Sequence, residues 1–260
     1  MSRIHSTVII GQDTDIHESV EIGPYSVIGN GVKIGEGTII DTSVRIHDGV
    51  ELGKHNRINH AAALGGAPQN LGFDHSIVSS VKIGDHNMFG EYFTVHRSSE
   101  TGGATRIGNH CFLMENAHVA HDCKVGDHVV MVHCAALSGH VVAEDYAFIS
   151  GLTALHQFVK AGTHSMIAGC AKIVKDIPPY TTADGNPATI IGLNSIGMKR
   201  AGFKPDVRNA IKKTYKTLYH SGLNTKQALE ELKKEENPIP EVQRIINFFA
   251  QSDRGVTDHR

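Results

Sequence analysis

From Ile107 to Pro178 an aliphatic or small apolar residue returns at every sixth position: Ile107, Leu113, Val119, Val125, Met131, Leu137, Ala143, Ile149, Leu155, Ala161, Ile167 and Ile173. A second small or β-branched residue follows each by four places, from Cys111 and Ala117 to Ala171 and Ile177. Six is neither the two-residue period of a strand nor the 3.6 of a helix. It is the hexapeptide repeat of a parallel β-helix, in which each hexad forms one face and three hexads close a coil. Coils pair as parallel strands about 4.8 Å apart, so residues eighteen apart stand above one another. The count also runs through Ile4, Ile10, Ile16, Ile22, Ile28, Ile34, Ile40, Ile46, Leu52, Ile58 and Leu64. A mainly β fold follows, with one long, narrow core.

The third and fourth residues of each hexad carry turn chemistry, as in Asn30-Gly31, Glu36-Gly37 and Asp48-Gly49, and mark the corners of the prism. One edge departs from this. Its successive corner pairs are His121-Asp122, Gly139-His140 and Gln157-Phe158. Vertical stacking puts His121, Gly139 and Gln157 in one column and Asp122, His140 and Phe158 in the next. A neutral imidazole suits a general base near pH 7. A neighbouring carboxylate fixes its tautomer and stabilises the imidazolium that forms. A residue without a side chain lets its amide approach a developing oxyanion. Base, orienting acid and oxyanion donor are the parts of acyl transfer, with the substrate as nucleophile, since no Ser or Cys stands in the column. Other corner histidines (His55, His86, His110, His128) read as surface residues.

The repeat is interrupted twice, by loops near 66–80 and 98–104. Insertions in solenoids gather on the binding face, although surface loops are also tolerated without function. Ile177-Pro178-Pro179-Tyr180 ends the coil, because proline cannot serve the next ladder. The expected division is 1–191 as β-helix and 192–260 as a small helical domain. In the latter, Val207, Ala210, Ile211, Thr214, Tyr215, Leu218 and Tyr219 form a helical stripe after Pro205. Shorter helices are expected from Asn224-Thr225 and after Pro240, giving two or three in all.

Formal net charge is −2, which gives no general affinity for nucleic acid. It is unevenly shared. From Asn194 onward there are thirteen Lys/Arg against eight Asp/Glu, and the stretch from Lys199 to Lys216 holds seven of those cations with Asp206 its one acid. Such a surface suits an acidic protein or a phosphorylated small molecule, or is simply a solvated helix face. The four cysteines lack metal-ligand spacing and read as buried, reduced thiols. With neither a signal segment nor a membrane-length apolar run, a cytoplasmic protein without stable membrane insertion is expected.

Asn116-Ala-His-Val-Ala-His-Asp-Cys-Lys-Val-Gly126, Leu137-Ser-Gly-His140 and Ala154-Leu-His-Gln-Phe158 resemble the acyl-carrier-protein-dependent UDP-N-acetylglucosamine O-acyltransferases that begin lipid A synthesis. Asp176-Ile-Pro-Pro-Tyr180 and Gly192-Leu-Asn-Ser-Ile-Gly-Met-Lys-Arg-Ala-Gly-Phe203 extend the resemblance over the whole chain. It implies a homotrimer of left-handed β-helices with active sites between subunits. It also implies transfer of a 3-hydroxyacyl chain from acyl carrier protein to the sugar's 3-position, with no cofactor beyond that co-substrate. His121 then corresponds to the general base, Asp122 to its partner and Gly139 to the oxyanion amide. His118, His140, His156 and Gln157 correspond to substrate-cleft residues, and Asn194 and Arg200 to nucleotide contacts. Gln69 and Asn70 belong to the acceptor loop, and Gly169 and Lys172 to the acyl-chain groove.

Two departures bear on the acceptor. Relatives often have Asp-Leu-Lys where this chain has Asn70-Leu71-Gly72, and an acidic residue where it has Ile196. A 3-amino analogue of the sugar, acylated at nitrogen, is therefore an alternative acceptor. The related N-acyltransferases of the same pathway usually carry an additional amino-terminal uridine-binding domain, whereas the hexads here begin at Ile4. A β-helical zinc carbonic anhydrase would also gather histidines at an edge. A scaffold or ice-binding solenoid would instead need flat ladders of one residue type, unlike the mixed His/Gly/Gln column.

Overall fold

The computed structural model describes residues 3–234 and 238–260. Its repeat region is a three-faced coil of mostly two-residue strands, arranged as parallel sheets of nine, eight and ten strands; the ten-stranded sheet is completed by an antiparallel terminal hairpin. The sixth-position residues point inward and stack directly: Val119 pairs with Leu137, Leu137 with Leu155, and Leu155 with Ile173. All four are essentially inaccessible to solvent. Each coil can cover its apolar side chains only with the coils above and below, so the core is continuous along the prism.

The corners have a backbone cause. The fourth residue of the hexad adopts the left-handed region, at φ +62° for Gly31 and +69° for Gly49, and equally at +63° for Asp122, +62° for His140 and +67° for Phe158. Glycine takes this conformation freely, whereas other residues lose roughly 1 kcal/mol or more. The repeat therefore carries ring-bearing and charged corner residues at a conformational cost.

Both interruptions fall where the period breaks, between the strands Ala63–Gly66 and Ser80–Ile83 and between Thr94–His96 and Ala104–Ile107. They are laced together. Arg97 donates to the Ile77 carbonyl and to Ser79 Oγ (2.8 Å), its guanidinium lies 4.9 Å from the Phe73 ring centre, and Ser79 Oγ donates to the Ser98 carbonyl at 2.5 Å.

After the last coil, the hairpin Thr181–Gly185 and Ala188–Leu193 extends one sheet and four helices follow: α1 (Ser195–Arg200), α2 (Pro205–His220), α3 (Thr225–Leu232) and α4 (Pro240–Ala250). The expectation of two or three helices missed α1, whose six residues are too few to show a period. Asn224 caps α3 through a full capping box with Gln227. Ile211, Tyr215, Leu218, Ile245, Ile246 and Phe249 form a second apolar core. The final residues return to the coil, where Asp176 bridges Val256 and Ile190 bridges His259. Among the described residues, no helix is long and apolar enough to cross a membrane.

Two expectations need correction. Cys111 and Cys123 are buried as expected, with burial pushing each thiol up to about 12, but Cys134 and Cys170 are exposed. They occupy fourth positions with φ +57° and +61°, which turn the side chain outward. The corner histidines are exposed yet not merely solvated. His86, His110, His128, Tyr146 and His164 form a near-parallel stack with centroids 4.6–4.9 Å apart, because every coil presents the same corner geometry.

Candidate active site

The strand His118–Val119 ends one coil face, and the corner after it presents His121 and Asp122. His121 Nδ1 lies 2.7 Å from Asp122 Oδ2. One coil further on, the imidazole lies over Gly139: a Cβ built there would fall 2.6 Å from His121 Cε1 and 2.8 Å from Nε2. Only glycine leaves room for the ring. At several corner positions of this kind the amide is consumed, as when Asn30 donates to Asp48 Oδ1 and Asn109 to Asp127 Oδ1. Among the described residues no acceptor takes the Gly139 amide proton. The next coil supplies Gln157 there instead of an Asn or Asp.

Stacking of an imidazole on glycine does not by itself define a site, since His133 lies over Gly151 in the same way. What separates His121 is its carboxylate. Asp122 accepts from Ser98 Oγ, from the Ser99 amide at 3.2 Å and from Ser99 Oγ at 2.6 Å, as well as from His121. Burial alone would raise its pKa, but the hydrogen bonds from Ser98, Ser99 and His121 outweigh it and hold the carboxyl at about 2. Ser98 and Ser99 belong to the second interruption and were not singled out from the sequence. An insertion has no period, so nothing places it opposite the corner.

Around this pair the expected residues divide. His140 Nε2 is 3.7 Å from Asp122 Oδ2, and its ring stands edge-on to His121 and stacks on Phe158 at 4.6 Å. His118 Nδ1 is 2.7 Å from Thr94 Oγ1, and burial, then the proximity of His121, lowers its pKa. Beside it sits His96, also unanticipated: buried, edge-on to His118, its Nδ1 without a partner among the described residues, and driven down to about 4 chiefly by burial. His156 Nδ1 meets Arg254 Nη2 at 3.2 Å. That arginine is delivered from the returning tail, whose Ser252 hydroxyl donates to the fully buried Asp176.

The remaining positions lie away from the pair. Gln69 and Asn70 are exposed on the first loop, where Asn70 Oδ1 accepts from the Gly72 amide at 3.1 Å. Asn194 serves the fold, since its Oδ1 caps α1 at the Gly197 amide and its Nδ2 donates to the His164 carbonyl, both at 2.9 Å. Arg200 is exposed at the end of α1. Lys172 continues the outward column of His118, Ala136 and Ala154, whereas Gly169 follows Gly151 on the neighbouring edge. Those two therefore bound the face that begins at His118 without converging on His121. His121, Asp122 and His140 offer ligand atoms within 4.8 Å of one another, a spacing a metal ion could use. The Asp122 oxygens, however, already receive the serine and histidine donors.

The repeat and its corner chemistry define a hexapeptide-repeat transferase. A family model for six bacterial-transferase hexapeptides matches residues 104–139, and a model for domain 2 of UDP-N-acetylglucosamine O-acyltransferases matches 176–257. An acyl-[acyl-carrier-protein]--UDP-N-acetylglucosamine O-acyltransferase from Gloeothece citriformis is 44% identical over 191 residues, covering 74% of this chain and 68% of its own length. The solved UDP-N-acetylglucosamine acyltransferase of Francisella novicida superposes with a TM-score of 0.95 at 36% identity, over 98% of this chain and 94% of its own. The Moraxella catarrhalis structure gives 0.93 at 37% identity, over 98% and 99%. This chain belongs to the acyl-[acyl-carrier-protein]--UDP-N-acetylglucosamine O-acyltransferase family.

Proposed function

We propose that this chain moves a 3-hydroxyacyl group from acyl carrier protein to the 3-hydroxyl of UDP-N-acetylglucosamine, the first step of lipid A synthesis. The observation that carries this reading is His121, paired with Asp122 on one nitrogen and lying over the unused Gly139 amide. With Nδ1–H held by Asp122, Nε2 takes the proton from the sugar hydroxyl as its oxygen attacks the thioester carbonyl. Asp122, at about 2, stays ionised throughout the imidazole range and stabilises the imidazolium. The Gly139 N–H donates to the tetrahedral oxyanion. Collapse breaks the C–S bond, and the carrier's thiolate leaves with the proton returned from Nε2.

His118, His140, His156 and Gln157 serve as cleft residues in this reading, with Gln69, Asn70, Asn194 and Arg200 on the acceptor side. The small outward residues Ala136 and Ala154, between His118 and Lys172, suit an acyl chain running across that face toward Gly169. A homotrimer is supported by the outward apolar column Met88, Phe112, Val130, Phe148 and Met166 on one sheet; Met88, Phe112 and Phe148 are 37–40% exposed in the single chain. Such a patch marks an interface.

The test is an acyl-transfer assay offering UDP-N-acetylglucosamine and its 3-amino analogue against a series of acyl-carrier thioesters. Transfer to the 3-hydroxyl sugar is expected. The departures at Asn70-Leu71-Gly72 and Ile196 make preference for the amine the competing result, and no transfer to either sugar defeats the reading.

A further inference from the structure

Between the terminal hairpin and α2 lies a cleft of about 420 Å³, within the range of small-molecule sites. Its walls are Ile190, Leu193 and the rings of Tyr215 and Tyr219. Both phenols are already committed, Tyr215 Oη donating to the Pro179 carbonyl at 2.6 Å and Tyr219 Oη to the Thr257 carbonyl at 2.9 Å. The tyrosines therefore offer ring surface and no spare hydroxyl proton. The rim is basic. Lys212 and Lys216, one helical turn apart, border the cleft together with His220 and His259, whose rings meet edge-to-face at 4.7 Å. His259 Nδ1 is held 2.7 Å from the Arg260 oxygen. Among the described residues no Asp or Glu side chain lines the cleft and neither lysine makes an ion pair. Apolar walls, two unpaired ammonium groups and hydroxyls turned to other partners select against a neutral polyol and against a cation.

We propose that this cleft binds a small amphiphilic anion, a medium-length apolar tail bearing a carboxylate or phosphate head. The tail lies against Ile190, Leu193 and the tyrosine rings, and the head meets Lys212 and Lys216 at the mouth. None of the lining residues belongs to the His121 edge, so occupancy is independent of the acyl-transfer chemistry. The seven cations between Lys199 and Lys216 raise the local concentration of such anions.

The experiment titrates the full chain with the fluorescent aromatic anion 8-anilinonaphthalene-1-sulfonate and displaces it with decanoate, decyl phosphate, decanol or decyltrimethylammonium. Saturable binding is expected, with the two anionic competitors at least about tenfold more effective than the neutral and cationic ones; the better anion identifies the head group. Lys212→Glu/Lys216→Glu should weaken probe and anion together by about tenfold or more, Lys212→Arg/Lys216→Arg should retain binding, and His121→Ala should bind like the parent. Unchanged thermal unfolding and gel filtration of the lysine variants, both substitutions being on exposed residues, show that the fold persists. Displacement indifferent to head-group charge, binding indifferent to the lysine reversal, or loss of the site in His121→Ala would each overturn the proposal.

Discussion

Two edges of the same prism are built from one repeat and end with opposite properties. Along the edge through Asp85, Asn109, Asp127 and Asp145, each corner side chain takes the amide of the coil before it: Lys54 donates to Asp85, Asp85 to Asn109, Asn109 to Asp127 and Asp127 to Asp145, all at 2.7–2.9 Å. Beside this ladder the rings of His86, His110, His128 and Tyr146 stack. From Lys54 to Asp127 each corner amide is taken by a side chain of the next coil. Along the other edge the ladder begins, Gln12 donating to Asn30 and Asn30 to Asp48, and then stops. Arg97 and Ser98 turn out into the interruption, and His121, Gly139 and Gln157 replace the Asn and Asp. What remains is an unclaimed amide, an imidazole over it, and a carboxylate fixed from outside the repeat. Satisfied corners stabilise the coil; unsatisfied ones are available for chemistry.

The sharpest test of this contrast adds one methyl group at the open corner and one at a satisfied corner lower on the same edge. Gly139→Ala places a Cβ 2.6 Å from His121 Cε1, so the ring must leave; kcat is expected to fall by about 10²-fold or more, as misplaced catalytic groups do. Gly31→Ala, with φ +62° and nothing within 4 Å, should cost only about 1 kcal/mol of stability and leave kcat unchanged. Steady-state kinetics and thermal unfolding of the pair separate the two effects.

Next in size is the clamp on Asp122. Ser99→Ala removes the 2.6 Å hydroxyl bond while keeping the Ser99 amide. The expected result is a loss of about tenfold in kcat with little change in KM, and a carboxyl pKa that rises from about 2 toward the ordinary range. The sign in stability follows. A carboxyl depressed on folding from 3.8 to about 2 adds stability that is present above pH 3.8 and lost as pH falls through about 2. Asp122→Asn should therefore unfold with less pH dependence between about 4 and 2 than the parent.

On the ladder edge, Asp127→Ala strands the Asn109 amide, which Asp127 Oδ1 accepts at 2.7 Å. A loss of about 1–2 kcal/mol is expected, visible in denaturant unfolding, with turnover untouched. The smallest effect concerns the tail. Arg254→Ala removes the 3.2 Å contact to His156 Nδ1, and a rise of about a few-fold in acceptor KM is expected with kcat nearly constant.

The six-residue count, the corner positions and the vertical meeting of His121 with Gly139 were all legible in the sequence, because each follows from a fixed period. What escaped reading comes from parts of the chain that the period does not govern. Ser98 and Ser99 reach Asp122 from an insertion, and Arg254 reaches His156 from a tail that folds back across the last coil. The six residues of α1 are too few to show periodicity, so the capping role of Asn194 could not be read from spacing. The stacked corner rings are a different omission. The period did place His110 over His128, but a corner histidine considered alone looks solvated, and only the left-handed φ repeated coil after coil brings the rings parallel.

The most direct measurement is kcat for two histidine-to-alanine variants, His121→Ala on the open edge and His128→Ala on the satisfied one, each verified as folded by thermal unfolding. Removal of the proposed base is expected to lower turnover by about 10²–10⁴-fold, while His128→Ala stays within about twofold and loses at most about 1 kcal/mol from its ring stack. Comparable turnover in the two variants, or near-parental activity in His121→Ala, would contradict the assignment of the chemistry to the edge where His121 meets Gly139.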